Sequence, residues 1–498
     1  MTARLSLSTL DDLPADIARP GYDVAGQKIG IVHLGIGAFH RAHQAVYVDD
    51  RLAAGERDWA ILGASLRSPD TRDALRPQDG LYTVLVRSSD AIRPRVIGSI
   101  RELLVAPDNP EALLKAMGDP NVRIVSLTVT EKGYCHDPAT GQLREDHPDI
   151  LHDLSFPLTP KSAPGVLVEA LRRRREDGIA PFTVLCCDNL PSNGKTVRRV
   201  VSRFAELRDP DLGRFVAEEV AFPSTMVDRI VPATTDADRE LVAERLGVTD
   251  SWPVSTEPFS QWVIEDHFPT GRPRFELAGA ELVADVEPYE AMKLRLLNGS
   301  HSTLAYLGYL AGHETISDTM AAPAFVRLVR GLMDEEVTPT LRVPPGADLA
   351  SYKNSLLARF ENTALRHRTW QIAMDGSQKL PQRLLGTARD RLKAGAPIDR
   401  IALGVAAWMR YVTGKDEKGA EIDVRDPLAE RLRSLANAAG PEASRLAPAL
   451  LDVREIFGDD LPNDPRFTTP VQNALATLLS KGAAYAVEHV ARMPETAS

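Results

Sequence analysis

Over residues 292–307 (MKLRLLNGSHSTLAYL) apolar side chains recur at helical rather than alternating spacing, which predicts a buried helix. At about 100° per residue, Lys293, His301 and Asn298 fall within an arc of roughly 140°, with His301 between the other two, so all three can face one cavity. Upstream the pattern differs. Short continuous apolar runs at 28–34 (KIGIVHL), 59–66 (WAILGASL), 122–130 (VRIVSLTVT) and 182–187 (FTVLCC) predict buried strands. A helical pattern separates the first two, from about 38 to 54, and 281–286 (ELVADV) predicts one more short strand before Pro288. From about residue 290 helix-period stretches take over, for example 324–333, 401–411 and 471–487, with few strand signals.

Between the first strand and the first helix stands Gly35-Ile36-Gly37-Ala38-Phe39-His40. Strand, Gly-x-Gly, helix is the opening of a dinucleotide-binding unit. The two glycines allow a tight turn and close approach of a pyrophosphate, which rests on amides at the helix start, including those of Ala38 and Phe39. The third glycine of the G-x-G-x-x-G fingerprint is replaced by His40, so the motif is incomplete. After the second strand, Asp70 is the candidate acid for the ribose hydroxyls and Arg67 the candidate partner of a 2'-phosphate, which leaves NAD and NADP both open. The third and fourth runs end in Glu131 and in Asp188-Asn189, and polar residues at strand C-termini of an open α/β sheet are where ligands bind. The expected fold class is therefore α/β: an N-terminal Rossmann-type dinucleotide-binding domain over 1–287 and a mainly α-helical C-terminal domain over 288–498, with a cleft between domains as the natural ligand site.

The chemistry belongs to the 292–307 stretch. A lysine among apolar neighbours loses hydration, which disfavours its ammonium form and equips Lys293 as a candidate general base. The Asn298 amide can hydrogen-bond a developing alkoxide, and His301 can hold that oxygen or a neighbouring hydroxyl. Gly299 permits close approach to the backbone. Two imitations are set aside. Asn193-Gly194-Lys195-Thr196 lacks the first glycine of a phosphate loop, since Asn189 stands there. His40 and His43 have no nearby carboxylate or cysteine to complete a metal set, so no metal is expected.

Composition narrows the picture further. Lys plus Arg total 59 against 69 for Asp plus Glu, and the net charge of -10 argues against nucleic acid or an acidic membrane as partner. The dense basic run Arg172–Arg175 is followed at once by Glu176-Asp177 and reads as a solvated helix end. Three cysteines, two of them adjacent, exclude a disulfide framework and a Cys-rich zinc site. No 18-residue apolar run occurs, and the first 25 residues carry Asp11, Asp12 and Asp16, so a cytoplasmic protein is expected.

Gly35-x-Gly37-x-Phe39-His40-Arg41-Ala42-His43-Gln44, Thr128-Val129-Thr130-Glu131, Cys187-Asp188-Asn189-Leu190-Pro191, Met226-Val227-Asp228-Arg229 and Lys293-x-x-x-x-Asn298-Gly299-Ser300-His301 together resemble the polyol-specific long-chain dehydrogenases, the mannitol 2-dehydrogenase and fructuronate reductase family. The runs 364–383 and 456–462 resemble its fructuronate reductase branch. The resemblance implies metal-independent, NAD-linked oxidation of a secondary alcohol to a ketone, here D-mannonate to D-fructuronate. It implies Lys293 as acid/base, Asn189 and Asn298 as an oxyanion pair, and His301 as a substrate-positioning group. Glu131 and Glu290 match acidic residues associated with proton passage to the lysine, and Asp228 and Lys379 match substrate contacts. Gln371 stands where mannitol dehydrogenases carry an arginine, and Arg366, Arg368 and Lys379 are the candidate cations for a substrate carboxylate. Oxidation of mannitol or arabinitol is the alternative within the family, and a non-catalytic NAD-binding sensor is the alternative outside it. The expected partner is a small sugar acid or polyol, on a monomer or small homo-oligomer.

Overall fold

The computed structural model describes residues 3–137 and 140–492, which form two compact units, Met1–Glu287 and Pro288–Ser498.

In the first unit the apolar runs become a parallel sheet. Its strands lie in the order Ile100–Val105, Ala60–Ser65, Ile29–Leu34, Ile124–Leu127, Thr183–Cys186. The chain leaves the first strand in one direction and returns on its other side, so the order reverses between Ile29–Leu34 and Ile124–Leu127; such a switch point leaves a crevice at the strand C-termini. Both faces are covered, which explains the continuous apolar runs. Val32, Leu34, Val125, Leu127 and Val184 pack under the helices Pro110–Met117, Ala163–Glu176 and Asn193–Arg208. Ile31, Ile61, Ile124 and Leu185 turn to the opposite face, against Gln44–Ala53 and the rings of Trp262 and Phe275.

The sequence pattern anticipates this sheet except its edge. Ile100–Val105 carries Arg101 and Glu102, so no continuous apolar run marks it. Two small sheets also lay outside the expected elements, apart from the strand Glu281–Val283, which falls within the short strand expected over 281–286. One contains Ile92–Ile97, Tyr82–Arg87 and Val254–Thr256, and the other Glu281–Val283, Gln261–Glu265 and Thr225–Asp228. The expected helix over 38–54 breaks at His43, where φ is -124° and ψ -95°, into Ala38–Ala42 and Gln44–Ala53.

The basic run is a correction. Arg174 is not solvated: it is 1% exposed and donates to the carbonyls of Ala180, Met117 and Asp119. Arg172, Arg173 and Arg208 converge on the buried carboxylate of Glu169, so the run ties a helix to its surroundings.

In the second unit the central element is Asp399–Val412, buried on every side except at Asp399 and Arg410 as an all-round apolar helix must be. Glu336 caps its N-terminus by accepting from the amides of Arg400 and Ile401 at 2.8 and 2.9 Å. The stretch 471–487 is two helices, Pro465–Lys481 and Ala483–Ala491, because Gly482 at φ 83° ends the first. Among the described residues no helix is long and apolar enough to cross a membrane.

Candidate active site

Gly35 follows directly on the first strand with φ at 91°. Its N–H donates to the Ala64 carbonyl at 2.8 Å, and its carbonyl accepts from Thr128 Oγ1 at 2.7 Å and from the Gly37 N–H at 2.7 Å. A Cβ placed on Gly35 would stand 2.1 Å from the Thr128 carbonyl oxygen, so the position accepts glycine alone. Gly37 is different. It is exposed at φ -87°, and the nearest atom to a Cβ there would be 3.9 Å away. It caps Ala38–Ala42 without a side-chain acceptor, so the amides of Ala38 and Phe39 stand at a helix start suited to an anion. One glycine anchors the turn and the other leaves its approach open, which fits a pyrophosphate.

At the third fingerprint position His40 is buried, with its ring stacked on His33 at 3.4 Å between centroids and 14° between planes. His33 in turn bonds Ser126 Oγ at 2.8 Å and Thr128 Oγ1 at 2.9 Å. Where a third glycine would bring helix and strand together, this chain uses two flat rings in face contact. Burial pushes His33 down to about 3 and His40 well below the usual imidazole range, so both stacked rings are neutral. His43 bonds the Gln261 carbonyl at 2.9 Å and stacks on Phe39. Arg67 and Asp70 both lie exposed just beyond Ala60–Ser65, and Ser68 Oγ accepts from the Asp70 N–H at 3.2 Å.

Asn189 and Glu131, both exposed, sit beyond two further strands on the same edge of the sheet. Asp188 links their loops. Its carboxylate accepts from the Val129 and Thr130 amides at 2.9 and 3.1 Å and from the Tyr134 hydroxyl at 2.7 Å, holding Thr130 at φ 64° immediately before Glu131. Asn193 holds the other side, donating to the carbonyls of Cys186, Asp188 and Thr225 and accepting from the Thr225 amide. Thr225 begins the strand that ends at buried Asp228. Sequence reasoning saw Asn193 only as part of a failed phosphate loop and used Asp188 only as a neighbour of Asn189.

Burial raises Asp188 to about 6 despite the three donors, and the charge of nearby Glu131 adds to the rise. The folded state therefore keeps this proton to higher pH than the unfolded chain, whose aspartate ionises near 3.8. The associated stabilisation is complete below the unfolded value and is lost as pH rises through about 6, a difference of roughly 3 kcal/mol. Asp188→Asn cannot titrate. Melting curves from pH 4 to 8 are expected to show wild type losing ground to the variant as pH rises; a constant difference contradicts the assignment.

In the second unit the predicted helix is not uniform. Between Glu287–Met292 and Ser300–Leu310, residues Lys293–Gly299 are wound as a π-helix. Closing each ring at the fifth residue puts more residues in a turn, so Asn298 lies nearer in angle to Lys293 than the roughly 140° of a regular helix. Lys293 is 6% exposed and His301 8%, while Asn298 and Glu290 are half-buried. Gly299 shows what needed the close approach: a Cβ would stand 2.7 Å from the Arg383 carbonyl, in another π turn, Pro381–Leu385. The Arg383 guanidinium donates to Ser302 Oγ at 3.0 Å and so clasps the same helix.

His301 is stacked on Phe360 at 5.2 Å and meets the edge of His367 at 5.0 Å. Burial holds its imidazole neutral, and the charges of His367, Arg383, Arg359 and Lys379 act in the same direction. His367 is likewise pushed down to about 4 by burial and by Lys379. The Lys379 ammonium donates to the carbonyls of Met374 and Ile372 at the end of Thr369–Ala373, which carries half-buried Gln371. Arg368 lies apart from this group, 60% exposed and 3.6 Å from the equally exposed Glu314, and Arg366 is exposed as well. Arg359, Arg383 and His367 were not singled out as site residues, because nothing in their spacing marks them; only the fold brings their charges to bear on His301.

Two family models cover most of the chain. The mannitol dehydrogenase Rossmann domain matches residues 29–277, and the mannitol dehydrogenase C-terminal domain matches 285–479. An Escherichia coli protein described only as an uncharacterized oxidoreductase, YeiQ, is 51% identical over 473 residues, 95% of this chain and 96% of its own. The D-mannonate oxidoreductase of the same organism is 49% identical over 481 residues, 96% of this chain and 99% of its own. The Pseudomonas fluorescens mannitol 2-dehydrogenase, solved as a ternary complex with NAD and D-mannitol, superposes with a TM-score of 0.91 at 41% identity, covering 99% of this chain and all of that one.

Proposed function

The chain belongs to the mannitol dehydrogenase family of oxidoreductases, and from that premise we propose that it interconverts D-mannonate and D-fructuronate with NAD. The reaction balances as D-mannonate plus NAD+ giving D-fructuronate, NADH and a proton. Gly35 and Gly37 with the amides of Ala38 and Phe39 take the pyrophosphate, and Asp70 takes the ribose. The bound nicotinamide supplies the hydride acceptor.

The chain's own residues handle the proton and the oxygen. Lys293 removes the C5 hydroxyl proton in oxidation and returns it in reduction. The Asn189 and Asn298 amides donate to that oxygen as it gains negative charge, a pair that contributes on the order of a few kcal/mol. Neutral His301 holds a neighbouring hydroxyl. Glu290, one helical turn before Lys293, and Glu131 pass the proton between the amine and water, and Asp228, Gln371 and Lys379 contact the sugar.

The observation that carries the sugar acid is the group of positive charges, Arg383, Arg359 and Lys379, acting on buried His301. A uronate carboxylate gains from such a field and a neutral polyol does not. Arg368, placed out at Glu314, is the weakest of the substrate assignments. The likeness to the mannitol 2-dehydrogenase supports a second reading, mannitol and fructose. The test is an assay of D-fructuronate and D-fructose side by side with NADH and NADPH. The proposal expects a kcat/KM for fructuronate with NADH at least about 100-fold above that for fructose, the worth of one charge-assisted contact of about 3 kcal/mol. A preference for fructose selects the second reading. Turnover on neither, with NADH still bound, points to a sensor.

A further inference from the structure

Outside the residues assigned to the reaction, we propose that Cys135, His147 and Asp149 form a binding site for a divalent transition metal of zinc-like softness. Among the described residues these three bring a thiol sulfur, an imidazole nitrogen and a carboxylate oxygen all within 4.8 Å of one another. Ligands bound to zinc at about 2.0–2.3 Å stand some 3.2–3.8 Å apart, so closure requires shifts of about an ångström. The donor set is chemically selective. A thiolate with an imidazole favours zinc or its neighbours, whereas calcium and magnesium take oxygen ligands.

The backbone already holds the three together. The Cys135 carbonyl accepts from the Arg144 N–H at 2.8 Å, and the Arg144 carbonyl accepts from the His147 N–H at 3.0 Å. A bridge between His136 and Leu143 closes the same loop. Asp149 sits in the first turn of Pro148–Ser155, which His147 caps. Cys135 is 5% exposed, while His147 and Asp149 are half-buried, so the site is partly shielded yet reachable from solvent. Coordination has a defined cost. The His147 Nδ1 accepts the Asp149 N–H at 3.2 Å, and a metal on either ring nitrogen ends that bond. Binding also releases the thiol proton to water, and a water molecule completes the fourth position. Thiolate and carboxylate together neutralise a divalent ion.

The motifs that carry the reaction do not include these residues, so the inference stands whatever the substrate proves to be. Glu131 is four residues before Cys135, on the turn Glu131–Tyr134, and a bound metal would fix the segment that carries it.

The full-length chain, stripped with a chelator, is titrated with cobalt(II) and followed by absorption. One equivalent is expected to saturate a near-ultraviolet thiolate-to-cobalt charge-transfer band together with tetrahedral d–d bands, and zinc is expected to displace both. Cys135→Ser abolishes the charge-transfer band, and His147→Gln and Asp149→Asn each weaken affinity at least tenfold. The site is refuted if no charge-transfer band develops in the wild-type chain, or if it persists in Cys135→Ser and so arises at Cys186 or Cys187. Should Cys135→Ser misfold, the two other variants decide, and unchanged cobalt affinity in both refutes the site.

Discussion

Replacing Lys293 with alanine is expected to lower kcat by about 10²- to 10⁴-fold, the usual worth of a positioned acid/base group, while NADH binds as in the wild type. Lys293 is 6% exposed on the π turn Lys293–Gly299, and the proposed cofactor contacts lie on other residues, Gly35, Gly37 and Asp70. Loss in kcat without loss of cofactor affinity is the mark of a group that acts in the transition state. Lys293→Arg sharpens the test. A guanidinium keeps the charge and much of the stem but cannot deprotonate at working pH, so this variant is expected to be as slow as alanine. An arginine variant with near-normal turnover would reduce Lys293 to a fixed charge. Single-turnover kinetics with NADH fluorescence separate binding from chemistry in both.

Gly35→Ala and Gly37→Ala are expected to fail in different ways. At Gly35 the new methyl would stand 2.1 Å from the Thr128 carbonyl, and φ at 91° strains any side chain, so the turn must move and the sheet edge with it. That variant loses stability by several kcal/mol and loses NADH affinity together. At Gly37 the protein has room: φ is ordinary and the closest atom is 3.9 Å away. Gly37→Ala therefore melts at the wild-type temperature but binds NADH at least about tenfold more weakly, because the methyl occupies the approach left for the pyrophosphate. Calorimetric melting and NADH titration on the two purified variants check both halves. Full NADH affinity in Gly37→Ala would remove the turn from the cofactor site.

The parallel sheet was legible because its strands are buried on both faces and spell continuous apolar runs. The glycine turn was legible because φ at 91° and a 2.1 Å approach leave no other residue for Gly35. The edge strand Ile100–Val105 was not, since its charged residues break the run, and Ile92–Ile97 is interrupted by Arg93, Pro94 and Arg95. The π turn has the composition of an α-helix. Its extra residue per turn accompanies the approach of the Arg383 carbonyl to Gly299, a contact between segments more than eighty residues apart in the chain. Arg174 misled because a charged residue in a basic run reads as exposed until the fold supplies three carbonyls. Lys293, Asn298 and His301 were chosen from one helical face, and the structure keeps them on one continuous helical segment while changing the angle between them.

The central claim is that a primary amine at position 293 moves the proton. The most direct measurement is chemical rescue of Lys293→Ala by small primary amines added to the assay with fructuronate and NADH. The account predicts turnover that rises with the concentration of free base and, across a series of amines of equal size, with their basicity. No rescue by any amine that fits the cavity, in a variant that still binds NADH, or a Lys293→Ala enzyme with near-normal turnover at every pH, would contradict it.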